Sequence, residues 1–238
     1  VYEFSYTLRK QLKEKIVTVL LCIIAVLIFM HLIFTFIFSP VFVRTESMEP
    51  EIAKQSAVFM KPVGIQRPFV FNIKTIKRGD IVKIAPLIEN ERSFFQKTVD
   101  IVTNYITFQQ YKPFSKNSSH VNSSAIYRVV GMPGDTIYMK KYVLYVKPKD
   151  GVHFLSEYEV SNVNYETIIS QVPVNWDTSI GIQGDFSEIT LEKDQYFLLC
   201  DNRVSYIDSR IFGAVNAEQI TGVAKWQYYP FNSMQLLP

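Results

Sequence analysis

The feature that most constrains this chain is a long apolar run near its start. Residues 16–38 are almost entirely hydrophobic and are interrupted only by Thr18, Cys22, Ala25, His31 and Thr35. As an α-helix this run would extend roughly 34 Å at about 1.5 Å per residue, which is enough to cross a bilayer core of about 30 Å. It is too long for the apolar core of a cleavable leader. We therefore predict an uncleaved transmembrane anchor over residues 16–38.

The charges that flank the run predict its orientation. Four basic side chains lie in residues 1–15, whereas residues 39–45 carry Arg44 alone. Basic residues concentrate on the cytoplasmic side of a membrane helix. We therefore predict a cytoplasmic tail over residues 1–15 and an extracytoplasmic domain over residues 39–238, held in the cytoplasmic membrane by a single pass.

The remaining composition excludes several classes of partner. The formal net charge is +3 with no basic block, so nothing predicts a nucleic-acid partner. Of the two cysteines, Cys22 lies in the apolar run and Cys200 lies far along the chain, so an intrachain disulfide is not expected. The residue pattern predicts neither a metal site nor a cofactor.

Beyond the apolar run, the chain predicts a mainly β domain. Short β-branched and aromatic segments alternate with Gly, Pro, Asp and Lys, and no long stretch has a helical period. The predicted strands are 57–60, 80–84, 126–130, 136–139, 143–146, 196–199 and 224–229. We expect a folded-over antiparallel sheet, sandwich-like or barrel-like. Two segments read as insertions, at about 88–124 and 147–190, and the second is expected to form a small β subdomain.

Four motifs along the chain point to one protein family. They are Ser47-Met48-Glu49-Pro50 after the apolar run, Arg78-Gly79-Asp80-Ile81-Val82, residues 125–135 (AIYRVVGMPGD), and the pair Asp201-Asn202-Arg203 and Asp208-Ser209-Arg210. In order, spacing and residue type the set resembles type I signal peptidases, which are membrane-bound serine proteases that remove signal peptides from exported proteins. The resemblance implies a signal-peptidase-like folded β-sheet domain on one N-terminal transmembrane helix, with preproteins as substrates.

The resemblance also implies roles for individual residues. Ser47 matches the nucleophile, and Thr45 matches a hydroxyl that supports the oxyanion. The apolar pocket for a small substrate side chain, together with the strand that pairs with the peptide, is implied to involve Met48, Pro50, Ile52, Ala125 and Ile126. A structural ion-pair cluster beneath the site is implied to consist of Arg128, Asp201, Arg203, Asp208 and Arg210.

The chain departs from the family pattern at the position of the catalytic base. Tyr127 stands at the position of the family's lysine, and Tyr206 stands at the position of the serine that orients that lysine. A tyrosine titrates near 10, and burial raises that value further, so at neutral pH it donates a hydrogen bond rather than accepting a proton. Lys83 is a candidate substitute base, because the family usually has there an apolar residue that faces a substrate pocket.

Two functions stay open from the sequence. The first is a working signal peptidase with a non-standard base. The second is a catalytically weak or silent homologue that binds export substrates or assembles with another signal peptidase subunit. A self-cleaving repressor of the same Ser-Lys class is disfavoured, because the chain has an apolar anchor and no DNA-binding domain. In either case the expected partners are signal peptides and the lipid bilayer. The cluster Trp226, Tyr228, Tyr229 and Phe231 is either an interfacial surface or part of the core.

Overall fold

The structure is a computed structural model of the protein. It describes residues 2–36, 39–63, 76–85, 126–169, 183–204 and 207–238, together with residues 93, 95, 96, 99 and 103. Within the first helix, side chains are described for residues 11–29. The predicted insertion at 88–124 therefore lies almost wholly outside the described residues, as do Ala125 and Tyr206.

A long helix precedes the β domain. Helix α1 spans Tyr2–Phe36 and covers most of the predicted anchor. Across the part of the chain that the structure describes, no helix combines the length and the hydropathy that a membrane span requires. The anchor over residues 16–38 therefore stays a prediction.

The rest of the described chain is mainly β, as predicted. In chain order the strands are β1 (Ser39–Phe42), β2 (Ala57–Pro62), β3 (Ile81–Ile84), β4 (Ile126–Gly131), β5 (Thr136–Lys140), β6 (Val143–Lys147), β7 (Leu155–Ser156), β8 (Phe186–Thr190), β9 (Gln195–Leu199), β10 (Val215–Asn216), β11 (Ile220–Tyr229) and β12 (Gln235–Leu236). Two short helices, α2 (Glu157–Val160) and α3 (Ser209–Phe212), and the 3₁₀ turns Ala217–Gln219 and Phe231–Ser233 complete the described elements.

The strands form two antiparallel sheets. The large sheet has the order β1-β2-β11-β3-β4-β9-β10, with β12 paired to β11. The small sheet has the order β7-β6-β5-β8. Strands β7 and β8 belong to the predicted insertion at 147–190, but they pair with β6 and β5, which precede it. The small sheet is thus built jointly by the insertion and the hairpin before it.

Five described strands, β1, β7, β8, β10 and β12, have no counterpart among the predicted strand segments, although β7 and β8 lie in the insertion that was expected to form a small β subdomain. β1 begins at Ser39, where Ser39-Pro40 suggested only the end of the helix. β8 lies at the edge of the small sheet and is largely exposed. An exposed edge strand buries neither face fully, so its sequence, Phe-Ser-Glu-Ile-Thr, lacks a clear alternation of apolar and polar residues.

The large sheet separates two apolar clusters. One, which we call the Met48 cluster, contains Val41, Val43, Met48, Ile52, Val58, Met60, Ile81, Ile126, Ala224 and Leu237. The other, which we call the Tyr127 cluster, contains Ile76, Val82, Ile84, Tyr127, Val129, Tyr196, Leu198, Cys200, Val215, Ile220 and Val223. Successive residues of a strand point to opposite faces, so Ile126 and Tyr127 fall in different clusters.

The pairing of β3 with β4 fixes which side chains share a face. Val82 lies opposite Tyr127, and Lys83 lies opposite Ile126. Directly opposed residues of an antiparallel pair project from the same face. Lys83 therefore projects from the face of the Met48 cluster, and Tyr127 from the other face.

Candidate functional site around Ser47

Ser47 lies in the loop that joins β1 to β2. Its side chain is nearly buried, with 6% of its surface exposed, and its Oγ lies 2.8 Å from Thr45 Oγ1. The next residue, Met48, is fully buried in the Met48 cluster and anchors the loop against the sheet. Thr45 and Ser47, predicted as a functional pair, are thus brought together by the loop.

Three of the residues predicted to line an apolar pocket lie together in one apolar cluster. Met48, Ile52 and Ile126 are all buried in the Met48 cluster. Pro50 is exposed on the surface of the same loop. One strand residue and two loop residues of the predicted set therefore pack together in the core, and the pocket itself stays a prediction.

The backbone of the last motif holds the Ser47 loop. The Asn202 N–H donates to the Ser47 carbonyl oxygen at 3.0 Å. Ile168 bridges the same motif, because its N–H donates to the Asp201 carbonyl and its own carbonyl accepts from the Arg203 N–H, each at 3.0 Å. The 201–203 segment is therefore fixed between the Ser47 loop and the inserted segment.

A fully buried ion pair joins β4 to that motif. Arg128 donates from Nε to Asp201 Oδ1 at 2.7 Å and from Nη2 to Asp201 Oδ2 at 2.6 Å. Its Nη1 donates to the Gly79 carbonyl at 2.8 Å. Burial raises the pKa of the Asp201 carboxyl above its usual value, while the Arg128 guanidinium acts in the opposite direction. This two-point contact is the strong geometry for an arginine and a carboxylate.

The second predicted pair caps a short helix. Arg210 donates to both carboxylate oxygens of Asp208 at 2.8 Å, and its Nη1 donates to the Arg203 carbonyl at 2.7 Å. Asp208 is the N-cap of α3 and also accepts from the Cys200 N–H at 3.2 Å. The pair therefore ties α3 to the end of β9 and to the 201–203 segment.

Sequence reasoning missed the partner of Arg203. Its Nη2 donates to Glu157 Oε2 at 2.6 Å, and both side chains are fully buried. The same carboxylate accepts from the Tyr165 hydroxyl at 2.8 Å and from the Leu144 N–H at 3.1 Å. Glu157 belongs to the inserted segment, which has no motif of its own, so nothing in the sequence distinguished it from the acidic residues around it.

Tyr165 connects the two buried arginines. Its hydroxyl donates to Glu157, the partner of Arg203, while its ring lies under the Arg128 guanidinium, with 4.2 Å between the guanidinium carbon and the ring centroid. Such stacking stabilises a desolvated cation. The inserted segment thus contributes to both ion pairs beneath the Ser47 loop.

Tyr127 is buried within the Tyr127 cluster. Only 3% of its surface is exposed, and its ring packs edge-on against Phe212 with 5.6 Å between centroids. Burial raises the pKa of its phenol far above the ordinary value, and Cys200 and Asp208 raise it further. None of the hydrogen bonds found between described residues joins Tyr127 to Ser47. The phenol stays protonated at neutral pH.

Lys83 occupies a different environment. It is partly exposed in β3 and lies opposite Ile126, on the face of the Met48 cluster. The candidate substitute base therefore projects from the same face of the sheet as Ile126, and not from the face that carries Tyr127.

Comparison with known proteins identifies the family. The family model described as "Signal peptidase, peptidase S26" matches residues 16–229. This chain belongs to the signal peptidase family. The resemblance to type I signal peptidases stated from the motifs is thus confirmed.

Two relatives from Bacillus subtilis agree with this assignment. Signal peptidase I P from Bacillus subtilis subsp. natto is 28% identical over 227 residues, which cover 95% of this chain and 96% of the relative. Signal peptidase I T from Bacillus subtilis (strain 168) is 28% identical over 214 residues, covering 90% of this chain and 84% of the relative. A crystal structure of a signal peptidase I from Enterococcus faecalis V583 matches 64% of this chain and 98% of its own at 23% identity, with a TM-score of 0.31.

The buried Glu157–Arg203 pair yields a test of how this signal peptidase homologue is held together. Glu157→Gln removes the negative charge and leaves Arg203 buried without a counter-ion, which typically costs about 3–5 kcal/mol. We expect that loss in the free energy of unfolding, measured from urea denaturation midpoints. Glu188→Gln, on exposed β8, makes the same chemical change and should alter stability by less than about 0.5 kcal/mol. Equal midpoints for the two variants would contradict the assigned role of Glu157.

Proposed function

We propose that this chain acts on the signal peptides of exported preproteins at the cytoplasmic membrane, as a signal-peptidase-I-type serine endopeptidase whose own cleavage is very slow. The observation that carries the proposal is the contrast between Ser47 and Tyr127. Ser47 is held by Thr45 and Asn202 beside the Met48 cluster, whereas Tyr127 is a buried phenol that stays protonated at neutral pH. We propose that substrate binding is retained and that the proton acceptor is lost.

The chemical argument concerns the serine proton. Attack on a peptide carbonyl requires that the Ser47 hydroxyl transfer its proton as the new bond forms. The hydroxyl of Thr45 can accept a hydrogen bond from Ser47 but is far too weak a base to take the proton. The Tyr127 phenol is already protonated. General-base assistance typically contributes about a hundred- to ten-thousand-fold, so its loss leaves only a slow residual reaction.

Lys83 is a weaker candidate for the base than its residue type suggests. A lysine becomes a base when burial disfavours its charged form. Lys83 is partly exposed, so burial disfavours its charged form less than it would at a fully buried position. Family active sites bury the lysine that serves as base.

A second role follows from the same contrast. The pocket residues Met48, Ile52 and Ile126 and the ion pairs beneath them are all in place although the base is absent. Such a protein can bind export substrates, or pair with another signal peptidase subunit, without cleaving. We propose this assembly role as the alternative.

Preprotein cleavage by the purified chain separates these cases. We expect very slow processing by the wild type, and Ser47→Ala should change it little. Tyr127→Lys combined with Tyr206→Ser should raise the rate at least about a hundredfold, because it returns both a base and its hydrogen-bond partner. Tyr127→Lys alone should gain less, since the new amine lacks that orienting hydroxyl.

The controls for this rescue are further substitutions in the same chain. Adding Ser47→Ala to the double variant should abolish the gain. Rapid wild-type cleavage that depends on Ser47 would refute the slow-enzyme proposal. If Lys83→Ala then removed that activity, Lys83 would be the base.

We propose the topology indicated by the sequence, with residues 16–38 as the anchor and residues 39–238 outside the cytoplasm. The support is the apolar run and the four basic side chains in residues 1–15. Protease added to intact spheroplasts should digest the β domain. Digestion only after lysis would contradict this topology.

A lipid-facing surface is proposed beside β1, the strand that follows α1. Pro40, Phe59, Trp226 and Leu236 occupy opposed positions on β1, β2, β11 and β12 and so share one face. Leu236 is 84% exposed, and Phe231, which packs on Tyr229, is 77% exposed. Exposed apolar side chains grouped with Trp and Tyr favour the bilayer interface.

Vesicle flotation with residues 39–238 tests that surface. We expect binding without the anchor, and the paired change Phe231→Ser with Leu236→Ser should weaken it by about tenfold or more, because each buried side chain contributes about 1.5–3 kcal/mol. Val152→Ser, on a residue that is 81% exposed in the turn between β6 and β7, is the matched control and should bind as before. Clean separation of the unmodified fragment from vesicles would refute the proposal.

A further inference from the structure

A polar groove lies between the Ser47 loop, the inserted segment and β12. It has a volume of about 410 Å³, and its lining residues are Pro50, Glu51, Asn164, Tyr165, Glu166 and Gln235. Two of these side chains are carboxylic acids, two are amides, and none is basic. Pro50 and Glu51 belong to the loop that contains Ser47, so the groove is part of the surface around that loop.

The fold does not use the two carboxylates of this groove. Neither Glu51 nor Glu166 forms an ion pair, or accepts a hydrogen bond at its carboxylate, with any residue that the structure describes. The other two acids of the Ser47 loop differ in this respect. Glu46 pairs with Lys54 at 3.0 Å, and Glu49 accepts from the Lys54 backbone N–H at 3.2 Å. The carboxylates of Glu51 and Glu166 are therefore available to a ligand.

The buried cation next to the groove is already neutralised. Tyr165 lines the groove, and its ring lies against the Arg128 guanidinium, 4.2 Å from the guanidinium carbon to the ring centroid. Arg128 interacts electrostatically with Glu51, but it donates to both carboxylate oxygens of Asp201. Opposite charges in two-point contact largely cancel each other at a distance. Glu51 and Glu166 therefore make the groove negative.

Both walls of the groove are attached to the rest of the fold. Gln235 Nε2 donates to the Glu51 carbonyl oxygen at 3.0 Å and to Gln227 Oε1 at 3.3 Å. In the inserted segment, the Tyr165 hydroxyl donates to the buried Glu157 carboxylate at 2.8 Å. The two carboxylates thus project from backbone that is already held in place, which lowers the entropic cost of ordering them around a ligand.

The groove lies within reach of a peptide bound at Ser47. Residues of a fully extended chain span at most about 3.6 Å each, so the Cα atoms of Ser47 and Glu51 are separated by no more than roughly 14 Å. An extended peptide advances about 3.3 Å per residue. A peptide whose scissile bond lies at Ser47 can therefore place a side chain in the groove from within about four residues of that bond.

We infer that this groove is a substrate subsite that takes a basic side chain, lysine or arginine, from the peptide segment next to the scissile bond. The inference rests on the proposed function, since it assumes that a peptide binds at Ser47. An ammonium or guanidinium group can donate charge-assisted hydrogen bonds to both carboxylates and further hydrogen bonds to the amide oxygens of Asn164 and Gln235.

A metal ion matches the groove less well than an organic cation. Calcium takes about six to eight oxygen ligands, and two carboxylates are few for such a site. Across the described residues, no three His, Cys, Asp or Glu side chains are grouped so that they could hold a metal ion. A charged group that also donates several hydrogen bonds suits the mixture of carboxylates and amides better.

The test is a binding measurement with the full chain carrying Ser47→Ala, so that no peptide is consumed. Fluorescent cleavage-region peptides differ only by Lys or Gln, placed in turn at each of the four positions on either side of the scissile bond. We expect Lys to bind roughly three- to tenfold more tightly than Gln at one position. That preference should shrink as salt rises.

Substitutions in the groove identify the groups responsible. Glu51→Gln and Glu166→Gln should each reduce the Lys preference, and together they should abolish it. Glu51→Lys combined with Glu166→Lys should reverse it. The Gln peptide should bind all these variants as before, which shows that the site still folds. Glu49→Gln in the same loop and Glu188→Gln on exposed β8 are the matched controls, because they make the same charge change outside the groove.

The other outcomes also decide the question. The subsite is overturned, and the proposed function stands, if all peptides bind but Lys and Gln never differ, or if the preference survives the double change to Gln. It is likewise overturned if Glu49→Gln or Glu188→Gln lowers the preference as much as Glu51→Gln does, since general attraction to a negative surface then explains it. If no peptide binds to the full chain, the proposed function fails and the inference fails with it.

Discussion

The buried pair of Arg128 and Asp201 is the interaction on which the site depends. Both side chains are inaccessible to water, so each charge is tolerable only because the other is present in two-point contact. The pair fixes the 201–203 segment against β4, and the backbone of Asn202 in turn holds the Ser47 carbonyl. A loop that contains the candidate nucleophile is thereby attached to the centre of a sheet. Around this pair, Tyr165 and Glu157 extend the same network into the inserted segment.

A tyrosine at position 127 suits the packing of the core but cannot act as a base at neutral pH. The Tyr127 cluster is apolar, and an aromatic ring packs there against Phe212 without burying a charge. The same burial that makes tyrosine a good core residue keeps its phenol protonated. The fold and the ion pairs therefore do not require a base at position 127, so the family membership of the chain does not by itself establish its activity.

The two faces of the large sheet carry different groups of residues. The Met48 face carries the Met48 cluster, which includes the residue after Ser47, and Lys83, which lies opposite Ile126 of that cluster. The opposite face is filled by the Tyr127 cluster. Farther along β2 and β11, an aromatic row lies beside β1, which follows α1 directly in the chain. The proposed peptide-binding and lipid-facing surfaces thus lie on one sheet.

The sequence by itself determined the class of the fold, most strands and the family, because strand periodicity and motif spacing are local properties of the chain. It also identified Arg128, Asp201, Asp208 and Arg210 as ion-pairing residues. It did not identify Glu157, because that partner of Arg203 is separated from it along the chain and is brought near only by the inserted segment. Nor did it show that Tyr127 and Lys83 project from opposite faces of the large sheet. Strand register decides this, and a register is a relation between distant segments that only the tertiary structure fixes.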